Sequence, residues 1–344
     1  MRPLTLQRVI LQCALLVLIL FVVVVIALKL GAVPVSLYGL GRDLLQALLG
    51  QTGGLSSDYG MIIVDIRLPR ILLAIFVGAS LAVAGASFQA LLRNPLADPY
   101  ILGVSSGAGV GAILAIILAP YLPASLALIA TPVGAFVGAA ATISAVYLLG
   151  RREGQIDSGT LLLGGVITGS FLFAVIQFLM STVSGRDIRG AVFWLMGDLS
   201  SPMQAGLRWI LGVGFFVAAG AIYTTAGDLN LLLSGEKEAM HLGVDVERVR
   251  LVVYVAASLL TGFAVSVSGA IGYVGIFVPH IMRWIYGSDH RILLPTAAIG
   301  GAIAIVIADT LARTVVAPTE LPVGAVTAVA GAPLFIYLLR RRMA

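Results

Sequence analysis

The residues that could carry acid–base or metal chemistry are few in this sequence and lie far apart. The chain has three histidines, His241, His280 and His290, and a single cysteine, Cys13. Metal sites draw on clusters of histidine, cysteine and carboxylate side chains at short, regular spacings, and none of these residues belongs to such a cluster. No nucleophile–base pair stands out for an intramembrane hydrolase, since Ser105 and Ser106 have no partner that the sequence defines. The sequence therefore predicts no catalytic residue and no metal ligand.

Two ionisable residues lie in apolar surroundings. Asp309 precedes Arg313 by four residues, a spacing that places both side chains on one helix face as an ion pair. His280 follows Pro279 in an apolar run, where a packed histidine is favoured over a proton relay. An ion-driven carrier should hold ionisable residues at the membrane midplane, because a charge there is costly and persists mainly for function. The scarcity of such residues argues against that class, although an ion-coupled secondary transporter and a membrane enzyme remain alternatives.

A nucleotide site is also missing from the sequence. A phosphate-cradling loop has the pattern G-x-x-x-x-G-K-[ST], in which glycines let backbone amides approach the phosphates and lysine neutralises them. The only lysines, Lys29 and Lys237, follow Leu28 and Glu236 and lie outside any such pattern. We expect no cofactor on this chain. If ATP drives the protein, ATP and Mg²⁺ bind to a separate ATPase subunit.

The composition defines the elements that must position these residues. In 344 residues, 60% are hydrophobic and only 11% are charged, and the mean hydropathy is +1.07. A soluble globule carries about a quarter charged residues, so we predict an all-α polytopic membrane protein, a single transmembrane domain over residues 1–344. The 40 glycines would let helices approach closely in lipid.

About ten transmembrane helices fit the apolar runs, at roughly 20 residues each. We place them near residues 9–30, 66–91, 100–119, 124–149, 158–182, 207–226, 251–270, 273–287, 294–312 and 322–339. Ten spans put both termini on one side, together with thirteen of the 21 lysines and arginines, including Arg340, Arg341 and Arg342. The positive-inside rule then makes both termini cytoplasmic. The net charge of +5 is a topology signal and predicts no nucleic-acid partner.

Three polar segments interrupt the apolar runs. The longest on the inner side, residues 228–250, contains E-A-x-x-x-G from Glu238 to Gly243 and is either a docking lever or a plain connector. The turn R-N-P-L-A-D-P at residues 93–99 should be non-helical at Asn94 and Asp98, because proline disfavours helix at the preceding residue. On the outer side, R-L-P-R places Arg67 and Arg70 about one turn apart, where they are carboxylate receptors or interfacial anchors.

These segments belong to a longer series of motifs in fixed order. They are R-L-P-R at residues 67–70, Q-A-L-L-R-N-P-L-A-D-P at 89–99, G-V-S-S-G-A-G-V-G at 103–111, G-Y-V-G-I-F-V-P-H at 272–280, D-H-R-I-L-L-P at 289–295, A-D-T-L-A-R at 308–313 and E-L-P-V-G at 320–324. The series closely resembles the permease subunits of type II ABC importers for ferric siderophores, haem and vitamin B12, and covers nearly the whole chain.

The resemblance implies an assembly in the cytoplasmic (inner) membrane of a bacterium or archaeon. A homodimer would form the pathway at its interface, with two ATPase subunits inside and one extracytoplasmic substrate-binding protein outside. Transport would be ATP-driven alternating access. An iron chelate is the favoured substrate, a corrinoid the next, and some relatives carry oxyanions.

The resemblance also implies roles for particular residues. Arginines 67, 70 and 313 would dock the binding protein. Asn94 and Leu96, with Ser158 and Thr160 at the start of the fifth span, would form a cytoplasmic gate. The segment that couples to the ATPase would include Gly235, Glu236, Glu238, Ala239, Leu242 and Gly243.

Overall fold

The computed structural model describes residues 5–31, 62–152, 155–156, 158–185, 187–200 and 205–343. These residues form thirteen α-helices: α1 Leu6–Lys29, α2 Leu68–Leu91, α3 Val104–Leu118, α4 Ala124–Gly150, α5 Ser158–Met180, α6 Ile188–Leu195, α7 Ala205–Thr224, α8 Ala226–Ser234, α9 Glu236–His241, α10 Val246–Ser268, α11 Val274–Tyr286, α12 His290–Thr314 and α13 Val323–Met343. A π-helical turn, Ile62–Arg67, leads into α2, and a 3-10 turn, Pro99–Leu102, leads into α3. A second 3-10 turn, Ala119–Tyr121, follows α3, and strands Arg151–Arg152 and Gln155–Ile156 pair antiparallel.

The predicted all-α membrane fold is confirmed. Each of the ten predicted spans coincides with one helix: α1 to α5, α7, and α10 to α13. Within the described residues, eight helical segments are long and apolar enough to cross a membrane, and Val323–Pro333 is a shorter apolar helix. Helix α11 has 13 residues, about 20 Å at 1.5 Å per residue, so it is shorter than the hydrocarbon core. Non-helical residues 269–273 precede it.

Helix α2 is the centre of the fold. It packs against α10, α11 and α12, and most of its residues are buried, including the aromatic ring of Phe88. The Phe88 ring meets the Tyr254 ring of α10 edge to face, with centroids 6.1 Å apart. In contrast, α1 and α7 leave large apolar side chains such as Phe21 and Trp209 exposed, as expected of helices that face lipid. Because every residue from Val77 to Leu91 is buried, this part of α2 can transmit movement to the helices packed around it.

Glycines set the closest helix crossings, as the composition predicted. Helices α3 and α4 each carry a G-x-x-x-G pattern, Gly107–Gly111 and Gly134–Gly138, and the two patterns face each other. A Cβ atom on Gly111 would collide with the carbonyl oxygen of Gly134. A Cβ atom on Gly138 would collide with the carbonyl oxygen of Gly107. Because no hydrophobic effect draws helices together in lipid, such close backbone packing is a main source of association.

Candidate functional site

Residues 228–250, which the sequence predicts to be a cytoplasmic loop, form most of α8, the whole of α9 and the start of α10. Gly235 joins them with φ 139° and ψ 149°, a conformation open essentially only to glycine. The Glu238 carboxylate lies against Gly235, where a Cβ atom would strike it. This places an acidic side chain at the N-terminus of α9, where the helix dipole stabilises negative charge.

Helix α9 ends in a Schellman motif. The Val244 N–H donates to Ala239 O and the Gly243 N–H donates to Met240 O, both at 3.0 Å. Gly243 has φ 88°, the left-handed conformation that glycine adopts at no steric cost. Ala239 is buried, whereas Met240 and Leu242 are exposed. The predicted coupling residues therefore form one compact helical turn that presents apolar side chains outward.

Glu236 connects this turn to two other elements. Its carboxylate forms an ion pair with Arg250 near the start of α10. The same oxygen lies 3.3 Å from Arg93 Nη2, and Glu247 approaches Arg250 at 3.4 Å. Arg250 is largely buried. Through Glu236, α9 is thus tied to both α10 and the turn that follows α2.

The turn after α2 has the same C-cap geometry as α9. The Asn94 N–H donates to Gln89 O at 3.1 Å and the Arg93 N–H donates to Ala90 O at 3.2 Å. Here the left-handed position is occupied by Arg93, with φ 47°. The Asn94 side chain then accepts the Leu96 N–H at 3.0 Å. The predicted non-helical backbone from Asn94 to Asp98 is confirmed.

Asp98 and Tyr100 anchor the second half of this turn, and sequence reasoning assigned neither a role. Asp98 is buried, and its Oδ1 accepts the Tyr100 N–H at 2.8 Å as the N-cap of the 3-10 turn. Burial raises the pKa of Asp98 to about 6. The Tyr100 hydroxyl accepts the Ile271 N–H at 2.9 Å and so fixes the loop before α11. An aspartate followed by proline is a known helix-start signal and pointed to the cap, although its burial was not predictable.

The other predicted gate segment lies on a neighbouring element. Ser158 is the first residue of α5, and Thr160 lies two positions further on. Further along α5, Gly165 and Gly169 pack against the 3-10 turn and the glycine that ends it. A Cβ atom on Gly165 would lie 2.7 Å from Ile101 O. The two segments are therefore packed through their backbones less than two helical turns from Thr160. A gating role for Asn94, Leu96, Ser158 and Thr160 stays a prediction.

The three predicted docking arginines lie together at the opposite end of the molecule. Arg70 Nε donates to Asp309 Oδ1 at 2.8 Å, and its Nη1 donates to Glu320 Oε2 at 2.8 Å. Arg313 Nε donates to the other Asp309 oxygen at 3.0 Å. The predicted ion pair between Asp309 and Arg313 is thus confirmed, and the Asp309 carboxylate also accepts a hydrogen bond from Arg70.

Helix α1 ends against the same cluster. Arg67 Nη1 donates to Leu28 O at 2.7 Å, and Arg313 Nη2 lies 3.4 Å from Ala27 O. These carbonyls belong to the last turn of α1, where basic groups satisfy unpaired oxygens. The side chains of Arg67, Arg70 and Arg313 are only 5%, 9% and 7% exposed. They hold helices together, which the sequence did not predict; a docking role stays a prediction.

The helix count, the glycine crossings and the two polar ends define a multi-pass helical membrane protein. The chain belongs to the FecCD transport family, which matches residues 18–341. A cobalamin import system permease of Halobacterium salinarum is 45% identical over 84% of this chain and 76% of its own. The hemin transport system permease of Yersinia pestis is 42% identical over 81% and 83%.

A solved structure has the same fold over its whole length. It is an inward-facing conformation of a metal-chelate type ABC transporter, with a TM-score of 0.78 and 30% identity over 98% of this chain and 99% of that chain. These relatives are transport permease subunits. The family predicted from the motif series is therefore confirmed, and the protein is an ABC importer permease in a membrane.

Proposed function

We propose that this chain is the pathway-forming subunit of an importer that moves a metal chelate into the cytoplasm, with ATP hydrolysed on a separate subunit. The observation that carries the proposal is the linkage from the exposed turn of α9, through Glu236, to the turn after α2. The assembly would be a homodimer with two ATPases, which hold the ATP and Mg²⁺, and one binding protein. Both termini and α9 would then be cytoplasmic.

The linkage suggests how an ATPase would move the gate. Met240 and Leu242 offer an exposed apolar contact to a partner. A displacement of α9 would be carried by Glu236 to Arg93 and Arg250, and hence to α2 and α10. Since α2 is buried throughout from Val77 to Leu91, its inner end and the turn with Asn94 and Leu96 would move as a unit. The start of α5 would move with the 3-10 turn. This is alternating access with the gate at the inner helix ends.

An energy test separates this proposal from an ion-coupled carrier. We expect uptake in vesicles to require a co-expressed ATPase and to survive an uncoupler. Of the two buried carboxyls among the described residues, Asp309 forms ion pairs with arginines, whereas Asp98 forms no ion pair with another described residue. A proton-coupled mechanism would therefore use Asp98, and Asp98→Asn provides a second arm. ATP-driven uptake should persist in this variant. Loss of uptake on collapsing the gradient while ATP is plentiful would overturn the proposal.

A charge test addresses the linkage. Glu236→Gln should leave insertion intact and lower uptake per ATP hydrolysed in the complete complex, because Arg93 and Arg250 lose their common partner. Glu247→Gln is the matched control, since it also removes a carboxylate from Arg250 but has no bond to Arg93. Equal transport by both variants would show that the coupling segment is only a connector.

Two further changes address ATPase association. Charge reversal at Glu238 and a bulky residue at Gly243 should each weaken it. A Cβ atom at Gly243 would meet no neighbouring atom, so the change acts through the left-handed φ that a side chain strains.

The outer cluster supports docking of an acidic partner. Three arginines face two carboxylates, Asp309 and Glu320, which leaves one net positive charge. Because the arginines are buried, a partner's carboxylate would compete with Glu320 for Arg70. Glu320→Gln should therefore strengthen capture of the binding protein at low salt, and Arg67→Glu should weaken it. Affinities indifferent to both changes across a range of salt would assign the cluster to helix packing alone.

The proposed substrate is a metal chelate: a ferric siderophore, haem or a corrinoid. The proposal is supported by relatives named for cobalamin and hemin transport and by the metal-chelate type of the solved structure. Specificity in this family resides mostly in the binding protein, so the test is titration of that protein with each class. Binding of an oxyanion in place of all three chelates would refute the assignment.

A further inference from the structure

We infer that a basic cavity at the inner ends of the helices binds the phosphate group of an anionic membrane lipid. The cavity has a volume of about 490 Å³, within the range of small-molecule sites. It lies between the end of α2, the turn after it, α8, α11 and the residues just before α12. Its wall includes Gln89, Arg93, His280, Arg283, Trp284 and His290.

The charge of the cavity fits a phosphate. The side chains of Arg93, Arg283, His280 and His290 line the cavity, and none of the described residues of its wall is acidic. Two carboxylates beside wall residues are paired: Glu236 with Arg93 and Arg250, and Asp289 with Arg291. Guanidinium groups match phosphate oxygens in both charge and planar fork geometry.

Arg283 is held in a fixed orientation. Its Nη2 donates to Gln89 Oε1 at 2.9 Å, and Gln89 in turn donates to Gly275 O at 3.0 Å. Gln89 is buried, so this chain of bonds positions the guanidinium before any ligand arrives. Preorganisation of this kind lowers the entropic cost of binding.

His290 contributes a polar atom that protein groups leave unsatisfied. Its Nδ1 lies 2.7 Å from Asn230 Oδ1, an acceptor, so Nδ1 carries a proton. The opposite nitrogen, Nε2, is buried and has no hydrogen-bond partner among the described residues. Buried polar groups almost always have partners. Because Nδ1 carries the proton, Nε2 of the neutral ring has a lone pair and would accept a hydrogen bond from a glycerol hydroxyl of a phosphatidylglycerol head group.

The position of the cavity favours a lipid over a free ion. Trp284 lines it and is 75% exposed, beside exposed Ile285, on the last turn of α11. Tryptophan concentrates at membrane interfaces, and basic pockets between spans on the cytoplasmic side bind anionic head groups. The cavity therefore opens where a lipid phosphate would lie, next to the turn that Arg93 and Glu236 connect.

The test is lipid retention by the purified full-length permease, measured by native mass spectrometry with phosphatidylglycerol or phosphatidylcholine. We expect phosphatidylglycerol to be retained preferentially, and Arg93→Gly and Arg283→Gln each to lower its affinity about fivefold. Arg93→Gly keeps the turn, because glycine favours its left-handed φ. Arg283→Lys should restore part of the loss. Arg291→Gln is the matched control: Arg291 is 56% exposed, near the cavity but not in its wall.

Two further arms isolate the cause. Glu236→Gln should leave lipid affinity unchanged or higher, which shows that Arg93→Gly acts through the lost charge and not through the broken ion pair. Inorganic phosphate at millimolar concentration should fail to displace the lipid; full displacement would assign the site to a free ion and overturn the lipid proposal. Equal retention of both lipids, an equal loss in Arg291→Gln, or loss of the lipid on adding the ATPase would also overturn it.

Discussion

The buried carboxylate of Asp309 should stabilise the arginine cluster far more than Glu320, although both bind the same arginine. Asp309 is 1% exposed and bridges Arg70 and Arg313, whereas Glu320 is 45% exposed. Replacing Asp309 by asparagine leaves two buried guanidiniums without their common anion. Breaking a buried pair by removing one partner costs about 3–5 kcal/mol, because an uncompensated charge remains inside.

Glu320→Gln should cost far less. An exposed ion pair contributes about 0.2–1 kcal/mol, and Arg70 keeps Asp309 in this variant. The two substitutions are matched, since each changes one acid to its amide without loss of volume. The expected difference is about 2–5 kcal/mol, the gap between the buried and the exposed pair.

The assay is the thermal unfolding midpoint of the purified permease in one detergent at fixed lipid content. Asp309→Asn should lower the midpoint by several degrees and Glu320→Gln by one or two degrees at most. The double variant Asp309→Asn with Arg313→Gln should recover part of the loss, because fewer uncompensated charges remain. Equal midpoints for the two single variants would refute the reasoning that burial decides the strength of these pairs.

Two other substitutions test the glycine crossings and the buried acid. Gly138→Ile should prevent the close approach of α3 and α4 and abolish stable expression, while Gly220→Ile, with open space at its Cβ, should be tolerated; equal yields in a fluorescence size-exclusion profile would contradict this. For Asp98, a folded pKa of about 6 against 3.8 unfolded means that the folded state holds the proton more tightly. Stability should therefore be highest below pH 3.8 and fall until about pH 6, by about 3 kcal/mol at 1.36 kcal/mol per unit. Asp98→Asn keeps the cap acceptor and cannot ionise, so its gain in unfolding midpoint should be large at pH 8 and small at pH 4; parallel pH profiles for the two proteins would show that Asp98 is not buried as an acid.

Local signals predicted the spans well. Each apolar run is long enough to be read from the sequence, and the bilayer admits few alternatives to helix, because every backbone group in lipid must find a partner within the chain. The run near residues 273–287 corresponds to α11, Val274–Tyr286. The spacing of Asp309 and Arg313 likewise predicted their ion pair, since a four-residue separation on a helix fixes the geometry.

Long-range partners could not be predicted in the same way. Arg70 and Asp309 are 239 residues apart, and nothing in the R-L-P-R motif indicates which acid it meets. The arginines were therefore expected at an accessible face, although the structure buries them against α1 and α12. Helices α8 and α9 were missed for a different reason: they are too short for a hydrophobic period to be distinguished from a polar loop.

The Schellman motifs that end α9 and α2 provide an internal comparison. Gly243 occupies the left-handed position after α9, while Arg93 occupies the equivalent position after α2. A residue with a side chain in this conformation destabilises the folded state by about 1–2 kcal/mol. The ion pair between Arg93 and Glu236, both about two-fifths exposed, stabilises it by only about 0.2–1 kcal/mol. Folding alone would therefore favour glycine at both positions. Arg93→Gly should leave stability unchanged or improved yet lower coupled transport, because the side chain links the turn to α9 and lines the basic cavity. If Arg93→Gly transports as well as the unchanged protein at equal expression, the side chain has no part in coupling and the linkage through Glu236 must act through Arg250 alone.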